Sequence, residues 1–382
     1  MGDLTSFENI PFFVLTEYLQ IDDLLKLSKL NDWVKREVYY KTKPISIAVS
    51  TRLRAEILMA CIKNVKLCFD YPNILTDDDI KLLPRVTSLN LFSNNFVTSH
   101  SLAFLPGLTS LDLDSNTNIS DKCLESIGKN LRILSLRDNL LITDKGLHSL
   151  SLLTSLDLTQ SGAQITNNAL STLSSLEKLY LNKNKYISSV GLLSVKSTLK
   201  TLLLEENPNI FDDTLIQMTN LTALNIDGNA KITDLALRGL VSLTSLSIHH
   251  NDNITDQGLI SIAANLKMLK LKRNLCISDN GLSHCKNLTA LDLAHNDIIT
   301  DESLMHIQSL TYLNLTHNIR ITDTSIKFLL HLRILNLSNN SKITEAAIIS
   351  LANLEMLDLY KNKTLEKNKR LPSPTTINDY IE

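Results

Sequence analysis

Leu108-Thr109-Ser110-Leu111-Asp112-Leu113, followed at fixed distances by Asn116, Ile119, Asp121, Leu124 and Ile127, is the stretch that decides the fold. The same pattern opens at Val86, Leu131, Leu153, Leu176, Leu199, Leu221, Leu243, Leu266, Leu288, Leu310, Leu332 and Leu354. Thirteen copies therefore follow one another at intervals of 22 or 23 residues. A weaker copy runs from Ile62 to Val86, with Val65, Leu67, Asp70, Ile80 and Leu83 in matching places. A short fixed period of this kind marks units that cannot bury their apolar side chains alone and must stack into one continuous core.

Each position in the period has a physical reason. Leu111 and Leu113 are two apart and share one face of a short strand. The chain then turns, and an Asn occupies the turn in twelve of the thirteen copies, from Asn94 to Asn362. Its amide donates and accepts, so a column of them satisfies backbone groups that a buried turn would strand. Ile-Thr-Asp follows, as in Ile142-Thr143-Asp144 and Ile254-Thr255-Asp256, with a capping hydroxyl and a carboxylate at a helix start. Leu147 and Leu150, like Leu259 and Ile262, share one helical face. The expected fold is an α/β solenoid, curved, with a parallel sheet on its concave face and short helices on its convex face. One copy departs from the rule: around Ser161 the turn is one residue longer and Ser replaces Asn. It reads as a tolerated insertion. On these positions the units resemble leucine-rich repeats.

Composition narrows the function. Lys and Arg total 38 against 40 Asp and Glu, a net charge of −2, which argues against a general nucleic-acid binder that must neutralise many phosphates. No apolar run reaches the roughly 18–20 residues that span a bilayer. Five cysteines without metal-ligand spacing fit a reducing, intracellular and cytoplasmic setting. Nucleophile-elbow, phosphate-loop, zinc-protease and kinase signatures are all missing from the sequence, so neither enzymatic activity nor a cofactor is expected. His284 and Cys285 are adjacent, but Cys285 falls where the repeat packs its core.

The first 43 residues differ from the rest. Ile10-Pro11 leads into Phe13, Val14 and Leu15, then Tyr18-Leu19, then Asp22-Asp23-Leu24-Leu25-Lys26-Leu27-Ser28, Leu30 and Trp33. Pro11 suits a helix start. Residues 1–43 resemble an F-box, a small all-α module, although Phe12 stands where that family carries an acidic residue. The resemblance implies that Pro11, Leu15, Leu19, Leu24, Leu25 and Leu27 dock on the linker subunit of a cullin-type ubiquitin ligase. The same residues also fit a helical cap that merely seals the solenoid. Residues 44–85 read as a capping strand and helix with a degenerate first repeat, 86–365 as the thirteen repeats, and 366–382 as a C-terminal cap or tail. An F-box followed by such repeats resembles the F-box/leucine-rich-repeat family of substrate receptors. Repeats of this length with Asn also resemble bacterial surface and effector proteins, so a pathogen effector or viral protein acting in a host cytosol is an equal expectation. The alternative is an interaction scaffold or inhibitor with no ligase role.

A protein partner is expected on the concave face, at the third, fifth, seventh and eighth residues of each repeat. The eighth position gives His250, Arg273, His295 and His317 in succession, with His249, Lys270 and Lys272 beside them. Glu205, Glu206 and Asp227 form an acidic patch in the preceding repeats, and Tyr180, Met268 and Tyr312 are aromatic or flexible anchors. The pattern predicts an anionic protein ligand, bound more tightly as histidine protonates below about pH 6.5. His250, His295 and His317 lack an obvious fourth ligand, so no metal is expected.

Overall fold

The computed structural model describes residues 45–49, 65–69 and 75–365, apart from residues 85, 163 and 363. The F-box-like residues Pro11, Leu15, Leu19, Leu24, Leu25 and Leu27, the capping helix expected to follow the capping strand, and residues 366–382 lie outside these. The chain divides into two compact units, Met1–Ser175 and Leu176–Glu382. In the first, β1 (Ile45–Val49) pairs in parallel with β2 (Val65–Phe69). Then β3 (Ser88–Asn90), β4 (Ser110–Asp112), β5 (Ile133–Ser135) and β6 (Ser155–Asp157) form a parallel sheet in chain order. In the second, nine parallel strands again follow chain order: β7 (Lys178–Tyr180), β8 (Thr201–Leu203), β9 (Ala223–Asn225), β10 (Ser245–Ser247), β11 (Met268–Lys270), β12 (Ala290–Asp292), β13 (Tyr312–Asn314), β14 (Ile334–Asn336) and β15 (Met356–Asp358). Between strands lie short helices, such as the single turn Asp234–Leu237 and the two turns of Asp256–Ile262.

Aliphatic burial drives this stacking. In the repeat opening at Leu243, the side chains of Leu243, Leu246, Ile248, Ile254 and Leu259 expose no surface, each worth about 1.5–3 kcal/mol on burial. What fixes the register between coils is polar. Asn251 is buried; its Nδ2 donates to the carbonyl of Asn229 at 2.8 Å, and its Oδ1 accepts from the N–H groups of Asn253 (3.0 Å) and Ile254 (3.2 Å). The chain of amide-to-carbonyl bonds runs on through Asn274, Asn296, Asn318 and Asn340. The Ser161 repeat keeps the pattern by another route: the Gly162 N–H donates to the Asn139 carbonyl at 3.4 Å, where an Asn side chain would otherwise reach. The Gly162 N–H thus bonds the Asn139 carbonyl in the one repeat that lacks the asparagine amide.

Ile-Thr-Asp does more than cap a helix. Thr255 Oγ1 accepts from Gln257 N–H within its own helix, while the Thr255 N–H and hydroxyl donate to the Asp234 carboxylate of the preceding repeat at 2.8 and 2.7 Å. The same link joins Thr143 to Asp121, Ser278 to Asp256, Thr300 to Asp279 and Thr344 to Asp323. It requires a small residue two places beyond each Asp: a Cβ on Gly258 would stand 2.2 Å from Asp234 Oδ1.

On the sheet face, fifth-position Asp and Asn side chains fold back on their own turns. Asp112, Asp157, Asn225, Asp292, Asn314 and Asn336 each accept the N–H two residues on. The eighth residue of every repeat is left-handed, with φ from +50° to +61°, and only Gly228 is a glycine there. For any other residue this conformation costs roughly 1 kcal/mol.

Two expectations follow. Asn251→Ala removes three buried hydrogen bonds and strands their partners, so urea unfolding should show a loss of about 3 kcal/mol or more; a loss below about 0.5 kcal/mol would contradict the ladder's role. Burial, with the neighbouring Asp114 charge adding to it, pushes the Asp112 carboxyl up to about 6 from 3.8, against the pull of the Asp114 N–H and Arg137. The folded chain then holds more protons than the unfolded between those values, so this group's contribution falls as pH rises from about 4 to 6. Asp112→Asn, which keeps the acceptor, should gain about 1–2 kcal/mol at pH 7 and nothing below pH ~4.

Candidate functional site

Four successive repeats of the second unit, opening at Leu243, Leu266, Leu288 and Leu310, carry His250, Arg273, His295 and His317 at the left-handed position. The rings of His295 and His317 stack, centroids 4.4 Å apart and planes at 20°. His250, Arg273 and His295 line a depression of about 400 Å³ together with Asp252 and Leu275. Lys272 is half-buried beside Arg273. Neither Lys272 nor Arg273 has an ion-pair partner among the described residues, whereas in the same unit Lys183 lies 3.9 Å from Glu206. The structure thus brings together His250, Lys272, Arg273, His295 and His317 as a cationic edge.

His249 and Asp227 behave differently. Asp227 Oδ1 accepts from the His249 N–H at 2.7 Å, and both of its oxygens accept from Ser247 Oγ at 2.7 and 3.0 Å. This carboxylate is a clasp between β9 and β10 more than a free acid. Burial raises its pKa above the usual range against the pull of Ser247, the His249 N–H and Lys270. His249 Nδ1 is 3.5 Å from Asp227 Oδ2, and its Nε2 is enclosed with no hydrogen-bond partner. Burial pushes the His249 ring down to about 4; Asp292 opposes this, while Lys270, Lys272 and His250 add to it. The His295 ring is also pushed down, first by burial, then by His317, Arg273 and Lys272, with Asp297 opposing. Protonation of His249 therefore falls well below the window under pH 6.5 that the sequence pattern suggested. Attraction for an anion near neutral pH rests on the lysines and Arg273.

The remaining expected residues lie apart from this edge. Lys270 stands opposite Asp292 in the β11–β12 register, and Tyr312 is half-buried on β13. Glu205 and Glu206 are two repeats before His250, with Glu206 facing Lys183, and Tyr180 is three repeats before it, opposite Leu203. Sequence reasoning missed Asp292, which shares the fifth-position column with Lys270, and Asp252 and Leu275, which stand at the tenth position, beyond the columns that were read. Cys285 is fully buried and its thiol is pushed up to about 12 by that burial, while His284 Nδ1 lies 2.8 Å from the Asn280 carbonyl. Among the described residues no group of three or more His, Cys, Asp or Glu side chains is arranged to hold a metal ion, and no helix is long and apolar enough to cross a membrane.

Because the unfolded chain protonates His249 near pH 6.5 and the folded chain only near 4, acidification through that window favours unfolding. Denaturant titrations should show the second unit losing of the order of 2 kcal/mol from this group between pH 6.5 and 4, and His249→Gln should flatten that part of the profile. An unchanged profile would contradict the buried, neutral imidazole.

A family model described as a leucine-rich repeat matches residues 217–241, 239–263, 284–307 and 306–330, all in the second unit. A comparison with curated protein sequences gives no match. Among solved structures, the chain is similar to a chain of the TLR13–ssRNA13 complex, with TM-score 0.60 and 22% identity over 84% of this chain and 53% of that one. The present chain thus spans about half of that protein's length. It is similar to a chain of the yeast Rad7–Elc1 complex, with TM-score 0.53 and 19% identity over 91% and 90% of the two chains. It is also similar to a leucine-rich-repeat protein of Leptospira interrogans, with TM-score 0.55 and 25% identity over 82% of each. Leucine-rich repeats are present, and their parallel sheets and short helices fit a protein-interaction scaffold.

Proposed function

We propose that the chain is a non-catalytic receptor: the sheet face of its second unit holds a partner protein, and its first 43 residues tie that partner to a cullin-type ubiquitin ligase. The observation that carries the first half is the Lys272–Arg273 pair, which has no ion-pair partner among the described residues, whereas Lys183 of the same unit faces Glu206. Two cations on consecutive residues of one turn, with no acidic partner among the described residues, suit an anion supplied by a ligand. Support for the second half comes from sequence alone. Pro11, Leu15, Leu19 and the Leu24-Leu25-Lys26-Leu27 run sit at F-box spacing. A chain of the Rad7–Elc1 complex is an example of the same fold in a two-protein assembly. On this reading the chain acts inside cells, in the cytoplasm, as a cellular protein or as a pathogen effector in a host.

Capture on the immobilised ligase linker subunit tests the ligase half. Wild type should be retained, and Pro11→Ala with Leu19→Ala should reduce retention at least tenfold. Absence of wild-type retention would leave the repeats as a scaffold or inhibitor, with the N-terminus confined to sealing the solenoid.

A further inference from the structure

The cationic edge has an apolar companion. Two or three residues after the left-handed position, the repeats opening at Leu266, Leu288 and Leu310 expose Leu275 (59%), Ile298 (39%) and Ile319 (58%). These side chains follow the ladder residues Asn274, Asn296 and Asn318, so they stand at the turn that leaves the sheet. Leu275 shares its depression with His250, Arg273 and His295. Two rows therefore run side by side across consecutive coils: one of imidazoles and a guanidinium, and one in which Leu275 and Ile319 alternate with Asp252 and Asp297, with Ile298 one residue beyond Asp297.

The residue choice in the first row argues that its side chains matter. Its backbone is left-handed in every repeat, and the adjacent repeat uses Gly228 there, the residue that takes this conformation without strain. Twelve of the thirteen repeats carry a side chain at this position, and what sets this stretch apart is that four in succession are His, Arg, His and His. Stacked coils at about 4.8 Å put the first and fourth of these residues about 14 Å apart.

We infer that this edge binds an extended segment of a partner protein in which acidic residues alternate with aliphatic ones. In an extended chain successive side chains point to opposite sides, and residues two apart are separated by about 6.8 Å. A segment lying between the two rows presents carboxylates at i, i+2 and i+4 to Arg273, Lys272 and the histidines over about 14 Å. It turns its intervening aliphatic side chains to Leu275, Ile298 and Ile319. A nucleic-acid strand fits less well. Its phosphates recur on every nucleotide and would meet the exposed carboxylates of Asp252 and Asp297, which share the tenth position with Leu275 and Ile319, whereas a segment with alternating acidic residues can set its charges against the cations alone. The inference rests on the receptor reading above and adds the chemistry of what is received.

Selection of a phage-displayed library of random 12-residue peptides on the full chain tests it. Enriched sequences should alternate Asp or Glu with Leu, Ile or Val. Their binding should fall at least tenfold in Lys272→Glu with Arg273→Glu, and several-fold in Leu275→Asp with Ile319→Asp. Arg273→Gly relieves the left-handed strain, so it should weaken binding while leaving the urea midpoint unchanged or raised, which separates recognition from folding. Enrichment of peptides without acidic residues, enrichment undiminished by the charge reversal, or tighter binding of a labelled 12-nucleotide single-stranded RNA at these residues would overturn the inference. If a natural partner is captured equally by wild type and the charge-reversed chain, the receptor reading stands and this edge is not its site.

Discussion

The buried asparagine at each turn is the constraint on which the rest of the structure depends. Leucine burial supplies the driving force, but it is non-directional, and a stack of aliphatic coils could slip against its neighbours. A buried amide whose donor must find the carbonyl of the preceding Asn, and whose acceptor must find two N–H groups of its own turn, admits one register. An unsatisfied amide at that depth costs more than the net value of the bond itself, so every displaced alternative is penalised. The link from Thr255 to Asp234 and its equivalents pins the helical side of each coil to its neighbour in the same way.

That fixed register turns the sheet face into columns. Once strand pairs such as Lys270 with Asp292 are set, equivalent side chains in successive repeats stand a few ångströms apart, and chemistry assigned to one column position is repeated in space. Much of the face is occupied with its own maintenance: fifth-position Asp and Asn close their turns, and Asp227 clasps Ser247 and His249. What distinguishes the edge from His250 to His317 is that its cations are not consumed in this way. The aliphatic row beside it gives the same stretch a second kind of contact, so charge and shape select together.

The repeat was legible in the sequence because its determinants are local and periodic. Spacing alone placed the strand at Leu111 and Leu113, the buried turn at Asn116 and the cap at Thr143. The inter-coil half of each motif was not, because a side chain's partner in a stacked coil lies 19–26 residues away and a single repeat gives no sign of it. So Asp234 read as a helix-dipole residue although its carboxylate also serves Thr255. The left-handed backbone at the eighth position was hidden for another reason: twelve of thirteen residues there are not glycine, so composition gave no signal. At the candidate site, sequence chose the basic column and could not judge burial. His249 looked like its neighbour His250, yet one ring is enclosed beside Asp227 and the other faces outward.

Amide hydrogen exchange of the full chain, with and without a captured partner, tests most directly whether this edge is where recognition happens. The account predicts added protection in the turns and strand ends between Ser245 and Ile319, with the first unit unchanged. Protection confined to the helical side, or to the first unit, would contradict it.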